Sequence, residues 1–212
     1  MKAIVVGSGS INNYERFLEY VKISDMLICC DGGVRHFYKC GIVPDVIIGD
    51  LDSADEKYIE YFRQKNVRFE KFPPEKDFTD MELGIHRAID ENADEIFLFA
   101  GTGTRLDHTF ANAQILKKAL DKGILAWLVD EKNKICLAQK YIKIKGKKGD
   151  LLSLIPLTTR VSKITTKGLY YALDGNDMEI GNSLGVSNVM LSDECEIYIG
   201  DGILFVIMSE DW

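Results

Sequence analysis

Soft metal ligands are scarce in this chain of 212 residues, and those present are scattered. The three histidines stand apart at 36, 86 and 108, and the five cysteines at 29, 30, 40, 136 and 195 form no C-x-x-C pair. That excludes the usual zinc pattern and reads the thiols as reduced and buried in a cytoplasmic protein. Basic residues are also in deficit: 26 Lys and Arg face 33 Asp and Glu, a net charge of -7. A nucleic-acid backbone wants a basic stripe, so nucleic acid is excluded as a partner, whereas a cation, or an anion escorted by a divalent metal, suits the balance. Long apolar runs are missing too. Stretches such as 203–208 fall far short of the ~20 residues a membrane helix needs, so no membrane association is expected. Met1 leads straight into a strand-like segment, without the pattern of a signal peptide. There is no repeat and no low-complexity tract.

What is present is an ordinary globular composition, 46% hydrophobic and 28% charged. Up to residue 130, short β-rich runs at 3–6, 26–30, 46–48, 67–69, 95–100 and 124–129 alternate with amphipathic stretches at 14–21, 34–40, 55–64, 80–92 and 105–122. Near-continuous apolar strands separated by helices predict an α/β fold, a doubly wound and mainly parallel sheet covered on both faces. Such sheets bind ligands at the carboxyl ends of their strands. Beyond that point the helical period stops. Segments at 150–157, 160–166, 187–191, 194–199 and 203–209 are short, β-like and separated by Gly, Asn and Asp turns. The reading is therefore an α/β domain over residues 1–130 and a smaller all-β sandwich over 131–212, joined through the polar turn Glu131-Lys132-Asn133-Lys134.

The unusual polar residues of the first domain fall at strand ends. Gly49-Asp50-Leu51-Asp52-Ser53 closes a buried strand with two carboxylates. If the strand geometry continues, Asp50 and Asp52 point the same way with Cα atoms roughly 6.5–7 Å apart, a spacing that suits a hard cation such as Mg²⁺. Ser53 with Glu56 also fits a capping box, which accounts for those residues but not for Asp50 or Asp52. Lys76-Asp77-Phe78-Thr79-Asp80-Met81-Glu82 offers Asp80 at a second helix start, where Thr79 and Glu82 fit another capping box. Three clustered carboxylates repel by several kcal/mol at an effective dielectric of about 20, which a divalent cation relieves. Gly101-Thr102-Gly103-Thr104-Arg105 then joins a strand to a helix, with Arg105, His108 and Asn112 on one helical face. It lacks the Gly-Lys-Ser/Thr of a P-loop. That face starts polar and continues into Ile115, Leu116 and Ala119, as expected if its first turns border a cleft where Arg105 clamps phosphate. Gly7-Ser8-Gly9-Ser10 and Asp31-Gly32-Gly33 follow the first two strands. In the second domain the stretch 174–185 is no calcium loop, since Met178 occupies a ligand position and no glutamate closes it at Gly185, and the polar 181–188 segment reads as a plain loop.

Taken in order, Asp31-Gly32-Gly33, Gly49-Asp50-Leu51-Asp52-Ser53, Lys76-Asp77-Phe78-Thr79-Asp80, Gly103-Thr104-Arg105-Leu106-Asp107-His108 and Ser187-Asn188 resemble the thiamine pyrophosphokinase (thiamine diphosphokinase) family over nearly the whole chain. The resemblance implies Mg²⁺-dependent transfer of the pyrophosphoryl group of ATP to the hydroxyl of thiamine, giving thiamine diphosphate and AMP. It implies a homodimer whose sites lie between one subunit's catalytic domain and the other's sandwich. Carried over by motif, Asp50, Asp52 and Asp80 match the metal-binding aspartates. Thr79, Arg105, Asp107 and His108 match the nucleotide region, with Asp31 lining the site and Asn112 on the same helix face. Ser187, Asn188 and nearby Ser183 match the thiamine-binding loop. The family places a basic residue and then Trp or Tyr after Gly-Leu; here Gly168-Leu169 is followed by Tyr170-Tyr171, so Tyr171 supplies the ring that stacks on thiamine. The attacking alcohol needs a proton acceptor, for which Asp107 is the candidate. Rival readings are an Asp-x-Asp phosphohydrolase, a sugar-nucleotide transferase, and a binding module whose acids only cap helices. The first requires a later lysine and acidic pair that find no place here.

Overall fold

The computed structural model describes every residue except Ser53, Pro74, Lys76, Asp211 and Trp212. The chain divides into two compact units, Met1–Glu131 and Lys132–Trp212.

In the first unit, six strands form one parallel sheet: β1 (Lys2–Val6), β2 (Met26–Cys30), β3 (Val46–Gly49), β4 (Arg68–Lys71), β5 (Glu95–Phe99) and β6 (Leu125–Val129). Their order is β6-β5-β1-β2-β3-β4. Successive strands run outward from β1 toward β4, and the chain then crosses back to lay β5 on the other side of β1. The β1–β5 seam is thus the topological switch point, where such a sheet opens a crevice beyond its strand ends. Beyond Lys2 and Glu95 at the starts of β1 and β5, the central strands are apolar and almost wholly buried, as a sheet covered on both faces requires.

Five helices supply the cover: α1 (Tyr14–Ile23), α2 (Val34–Cys40), α3 (Glu56–Gln64), α4 (Asp80–Asp90) and α5 (Leu106–Leu120). Phe17 of α1 meets Phe37 of α2 and Phe99 of β5 edge-on, at centroid separations of 6.1 and 5.4 Å. On the opposite face, Gly84 of α4 lies so close to Val5 and Cys30 that a Cβ there would stand 2.4 Å from the valine methyl. Local chemistry starts the helices. Asn13 caps α1 by accepting from the Arg16 amide, and Thr79 caps α4 by accepting from the Glu82 amide at 3.2 Å. The cap of α3 is Asp55, accepting from the Lys57 amide, while the capping box read at Ser53 and Glu56 involves a residue outside those described.

The second unit holds β7 (Asn133–Ala138), β8 (Tyr141–Lys145), β9 (Leu151–Pro156), β10 (Arg160–Lys167), β11 (Asn176–Glu179), β12 (Asn188–Val189), β13 (Glu194–Tyr198) and β14 (Leu204–Ser209). They make two antiparallel arrays, β12-β9-β14-β7 and β11-β10-β13-β8. Leu152 and Leu154, Leu204 and Val206, and Cys195 and Ile197 are buried while their chain neighbours are more open, the period-2 signature of a sheet with one covered face. The polar turn expected at 131–134 is a correction: β7 already begins at Asn133, paired with Ser209. Among the described residues, no helix is long and apolar enough to cross a membrane.

Candidate active site

A cavity of about 640 Å³ opens at the carboxyl ends of β1, β2, β3 and β5, in the crevice the topology predicts. Its floor is acidic. Asp31, Asp50 and Asp80 each place a carboxylate oxygen within 4.8 Å of the other two. Asp31 follows β2, Asp50 follows β3 and Asp80 opens α4, so three separate elements converge on one point. The backbone is shaped for that convergence. Gly49 has φ +141°, and a Cβ on it would stand 3.1 Å from Asp80 Oδ1 and from the Asp31 Cβ. Asp31 itself has φ +46°, a conformation L residues adopt at a cost and one that clusters at functional sites.

The continued strand geometry read for Asp50 and Asp52 gives way to a turn. β3 stops at Gly49, and Leu51 takes φ +68°, which breaks the alternation that would aim both carboxylates alike. Asp52 is exposed, and its amide donates to Asp50 Oδ1 at 3.1 Å. The three gathered oxygens therefore belong to Asp50, Asp80 and Asp31, the last of which was expected only to line the nucleotide site. Hard, anionic oxygens at this separation fit a magnesium-sized cation that keeps part of its shell for water and phosphate.

Two loops form the walls. The Gly7-Ser8-Gly9-Ser10 segment lies on one side, with Ser8 Oγ donating to Asp31 Oδ2 at 3.4 Å. The other side is the turn from Ala100 to Arg105 and the first turns of α5, including His108 and Asn112. Asn112 is buried and donates to the Gly101 carbonyl at 2.7 Å, so it shapes the loop as well as lining the cavity. Thr109 Oγ1 accepts from the Gly103 amide and donates to the Arg105 carbonyl. Arg105 and His108 are exposed at the rim, and the Arg105 guanidinium pairs with Asp107 at 2.6 Å. That pair holds the Asp107 carboxyl below the usual carboxylate range, chiefly through the hydrogen bond from Arg105. Asp107 does not line the cavity.

In the second unit, Asn188 is buried and spends its amide on Tyr171: Oδ1 accepts from the Tyr171 amide at 3.0 Å and Nδ2 donates to its carbonyl at 2.8 Å. The ring so held is 62% exposed, and Tyr170 stands beside it at 4.9 Å, edge-on. Ser183 and Ser187 are exposed, with Ser187 at φ +58° and its amide bonded to Ser153 Oγ. Asn188 thus presents an aromatic surface, a role its place in the motif did not reveal.

Sequence reading gave no role to two neighbours in α2. Arg35 donates to the carbonyls of Ser8 and Gly9, and His36 Nε2 donates to Gly9 O at 2.8 Å while its Nδ1 accepts from the Tyr14 hydroxyl at 2.7 Å. Burial pushes the His36 imidazole down to about 4, opposed by the Gly9 carbonyl and reinforced by Arg35 and Lys39.

Comparison with known proteins places the chain among relatives. The profile described as "Thiamin pyrophosphokinase, catalytic domain" matches residues 17–128, and "Thiamin pyrophosphokinase, vitamin B1 binding domain" matches 139–204. A thiamine pyrophosphokinase of Bacillus subtilis is 28% identical, with both chains covered in full. The crystal structure of a Bacillus subtilis thiamine pyrophosphokinase superposes with a TM-score of 0.89 at 26% identity, covering 100% of each chain. That of a Geobacillus thermodenitrificans thiamin pyrophosphokinase gives 0.87 at 27%, covering 100% of this chain and 98% of that one.

Proposed function

The chain belongs to the thiamine pyrophosphokinase family, and from that premise we propose that it transfers the pyrophosphoryl group of ATP to the hydroxyl of thiamine, forming thiamine diphosphate and AMP. The observation that carries the reading for this molecule is the meeting of Asp31, Asp50 and Asp80 on the floor of a cavity rimmed by Arg105 and His108.

In this reading Asp50 and Asp80 hold Mg²⁺ with Asp31, and Asp52 stands beside them on the same turn. Mg²⁺ held there would supply charge neutralisation for the phosphates. The residues of the chain do the rest. Arg105 and His108 receive the nucleotide's phosphates, Thr79 fixes the helix start that carries Asp80, and Asn112 keeps the Gly101 turn in shape. Phosphoryl transfer needs little covalent help, so in-line positioning and electrostatic stabilisation dominate. Asp107, paired with Arg105 at the rim and outside the cavity lining, is the candidate acceptor for the proton of a hydroxyl that arrives from the open side once phosphate oxygens draw Arg105 away. The Tyr171 ring receives the cationic thiazolium, with Ser183 and Ser187 on the adjoining loop and Asn188 fixing the ring's backbone. The working form is a homodimer, and the free, mostly buried cysteines suit the reducing cytoplasm.

Purified chain incubated with ATP, MgCl₂ and thiamine should release thiamine diphosphate and AMP in equal amounts, read by chromatography. ADP or free phosphate as the main product would sink the pyrophosphoryl mechanism, and ligand binding without turnover would favour the binding-module reading.

A further inference from the structure

The 7–10 loop carries backbone carbonyls into the neighbourhood of three carboxylates and, on the reading above, of ATP phosphates. A carbonyl oxygen facing an anion repels it, so the direction of each carbonyl matters. Two of them are claimed by donors that do not line the cavity. Arg35 takes the carbonyls of Ser8 and Gly9, and His36 Nε2 takes Gly9 a second time at 2.8 Å. Because Gly9 O can only accept, His36 carries its proton on Nε2, and Nδ1 accepts from the Tyr14 hydroxyl. From the far side the Gly9 amide donates to Ala100 O at 2.9 Å, and the Gly7 amide to Phe99 O at 2.9 Å. With the backbone held at both ends, the Ser8 hydroxyl faces Asp31 Oδ2.

We propose that His36, assisted by Arg35, is a positioning residue for nucleotide binding: it turns the Ser8 and Gly9 carbonyls away from the cavity and so sets Ser8 against Asp31. The proposal rests on the function proposed above for its ligand, ATP with magnesium. Histidine suits the task because a neutral imidazole offers one donor and one acceptor, both used here, at a site only 2% exposed. A lysine or arginine in its place would bring a buried charge. Asp31 and His36 also lie on one short stretch of chain, from the end of β2 to the first turn of α2. The segment that supplies a floor carboxylate therefore also buckles down the loop facing it.

The test uses the full chain and three substitutions, His36→Leu, His36→Gln and Arg35→Met. Affinity for a non-cleavable ATP analogue with Mg²⁺ is measured by calorimetry, alongside KM for ATP and for thiamine and the thermal midpoint. Loss of the buried donor should weaken analogue binding and raise KM for ATP about tenfold in His36→Leu, with KM for thiamine and kcat within about twofold. Glutamine, whose amide reaches the Nε2 position, should restore ATP affinity to within about threefold. Arg35 is exposed, so Arg35→Met keeps the question open to measurement if His36→Leu folds poorly; it should shift ATP affinity in the same direction. A lowered thermal midpoint with unchanged ATP affinity, or equal changes in both KM values, would overturn the proposal. Failure of the wild-type chain to make thiamine diphosphate would remove the proposed reaction, while the analogue affinities would still decide the role of His36.

Discussion

The two walls of the cavity are built to different standards. On the β1–β2 side the backbone is fixed so closely that side chains are excluded: a Cβ on Gly9 would lie 2.3 Å from the Ala100 carbonyl oxygen, and one on Gly33 2.4 Å from Val6 O. On the α5 side, a Cβ on Gly103 would meet nothing within 4 Å, and Arg105, Leu106 and Phe110 are exposed. On the proposed function, the rigid side adjoins the floor carboxylates that would set metal geometry, which tolerates little error. The open wall carries exposed groups, among them the Arg105–Asp107 pair, which on the proposed function would exchange partners when Arg105 takes phosphate. Preorganisation and adaptability are separated in space, on loops that follow neighbouring strands.

The sharpest way to break that contrast is to remove one floor carboxylate without altering its shape. Asp50→Asn should lower kcat by about 10³-fold, or about 4 kcal/mol in the barrier. It should also abolish high-affinity Mn²⁺ binding measured by electron paramagnetic resonance, and leave the far-ultraviolet circular dichroism unchanged. Asp31→Asn should behave alike, because its oxygen completes the same group. Asp52→Asn measures how far the Leu51 turn opens in the working enzyme: a loss as large as that of Asp50→Asn would put Asp52 on the ion as well.

A second comparison sets glycine against glycine. Gly9→Ala drives a methyl group into a backbone carbonyl that has no rotamer to yield, so it should destabilise the fold by about 3 kcal/mol. Gly103→Ala, with open space around it and no positive φ, should stay within about 0.5 kcal/mol. Urea denaturation of the two variants reads the difference directly, and equal losses would erase the distinction between the walls.

How much of this was legible beforehand follows from the range of the interactions involved. The strands of the first unit announce themselves as apolar runs, and the site residues stand out because carboxylates and glycines are rare at the ends of such runs. Which carboxylates meet is a different matter. It depends on Leu51 at φ +68°, a conformation nothing about leucine foretells, and on Asp31 arriving from another strand. The strand β8 shows Ile142 and Ile144 alternating with Tyr141, Lys143 and Lys145, a pattern within reach of sequence but short. The start of β7 hides in a polar stretch because its pairing with β14 lies more than 70 residues away. Asn188 reads as a ligand-facing polar residue, yet its amide is consumed by Tyr171, 17 residues earlier. His36 escaped notice for the same reason, since its partners Tyr14 and Gly9 lie on two other segments.

That histidine also gives the rigid wall a pH signature. Folded, the imidazole is held neutral, with its affinity for a proton pushed down to about 4 by burial; unfolded, it returns to an ordinary 6.5. Below pH 6.5 the unfolded chain therefore binds the extra proton, so the contribution of His36 to stability is full above that value and is lost as pH falls toward 4. Between pH 7 and pH 5 the loss should be about 2 kcal/mol. Other groups titrate over the same interval, so the informative quantity is the difference between the wild-type chain and His36→Gln in urea denaturation at pH 7, 6 and 5. The wild-type chain should lose the additional amount and the variant should not. Parallel curves would mean that His36 is solvated or already charged when folded. The Arg105–Asp107 pair on the open wall, fully solvated at the rim, should add nothing measurable over the same range.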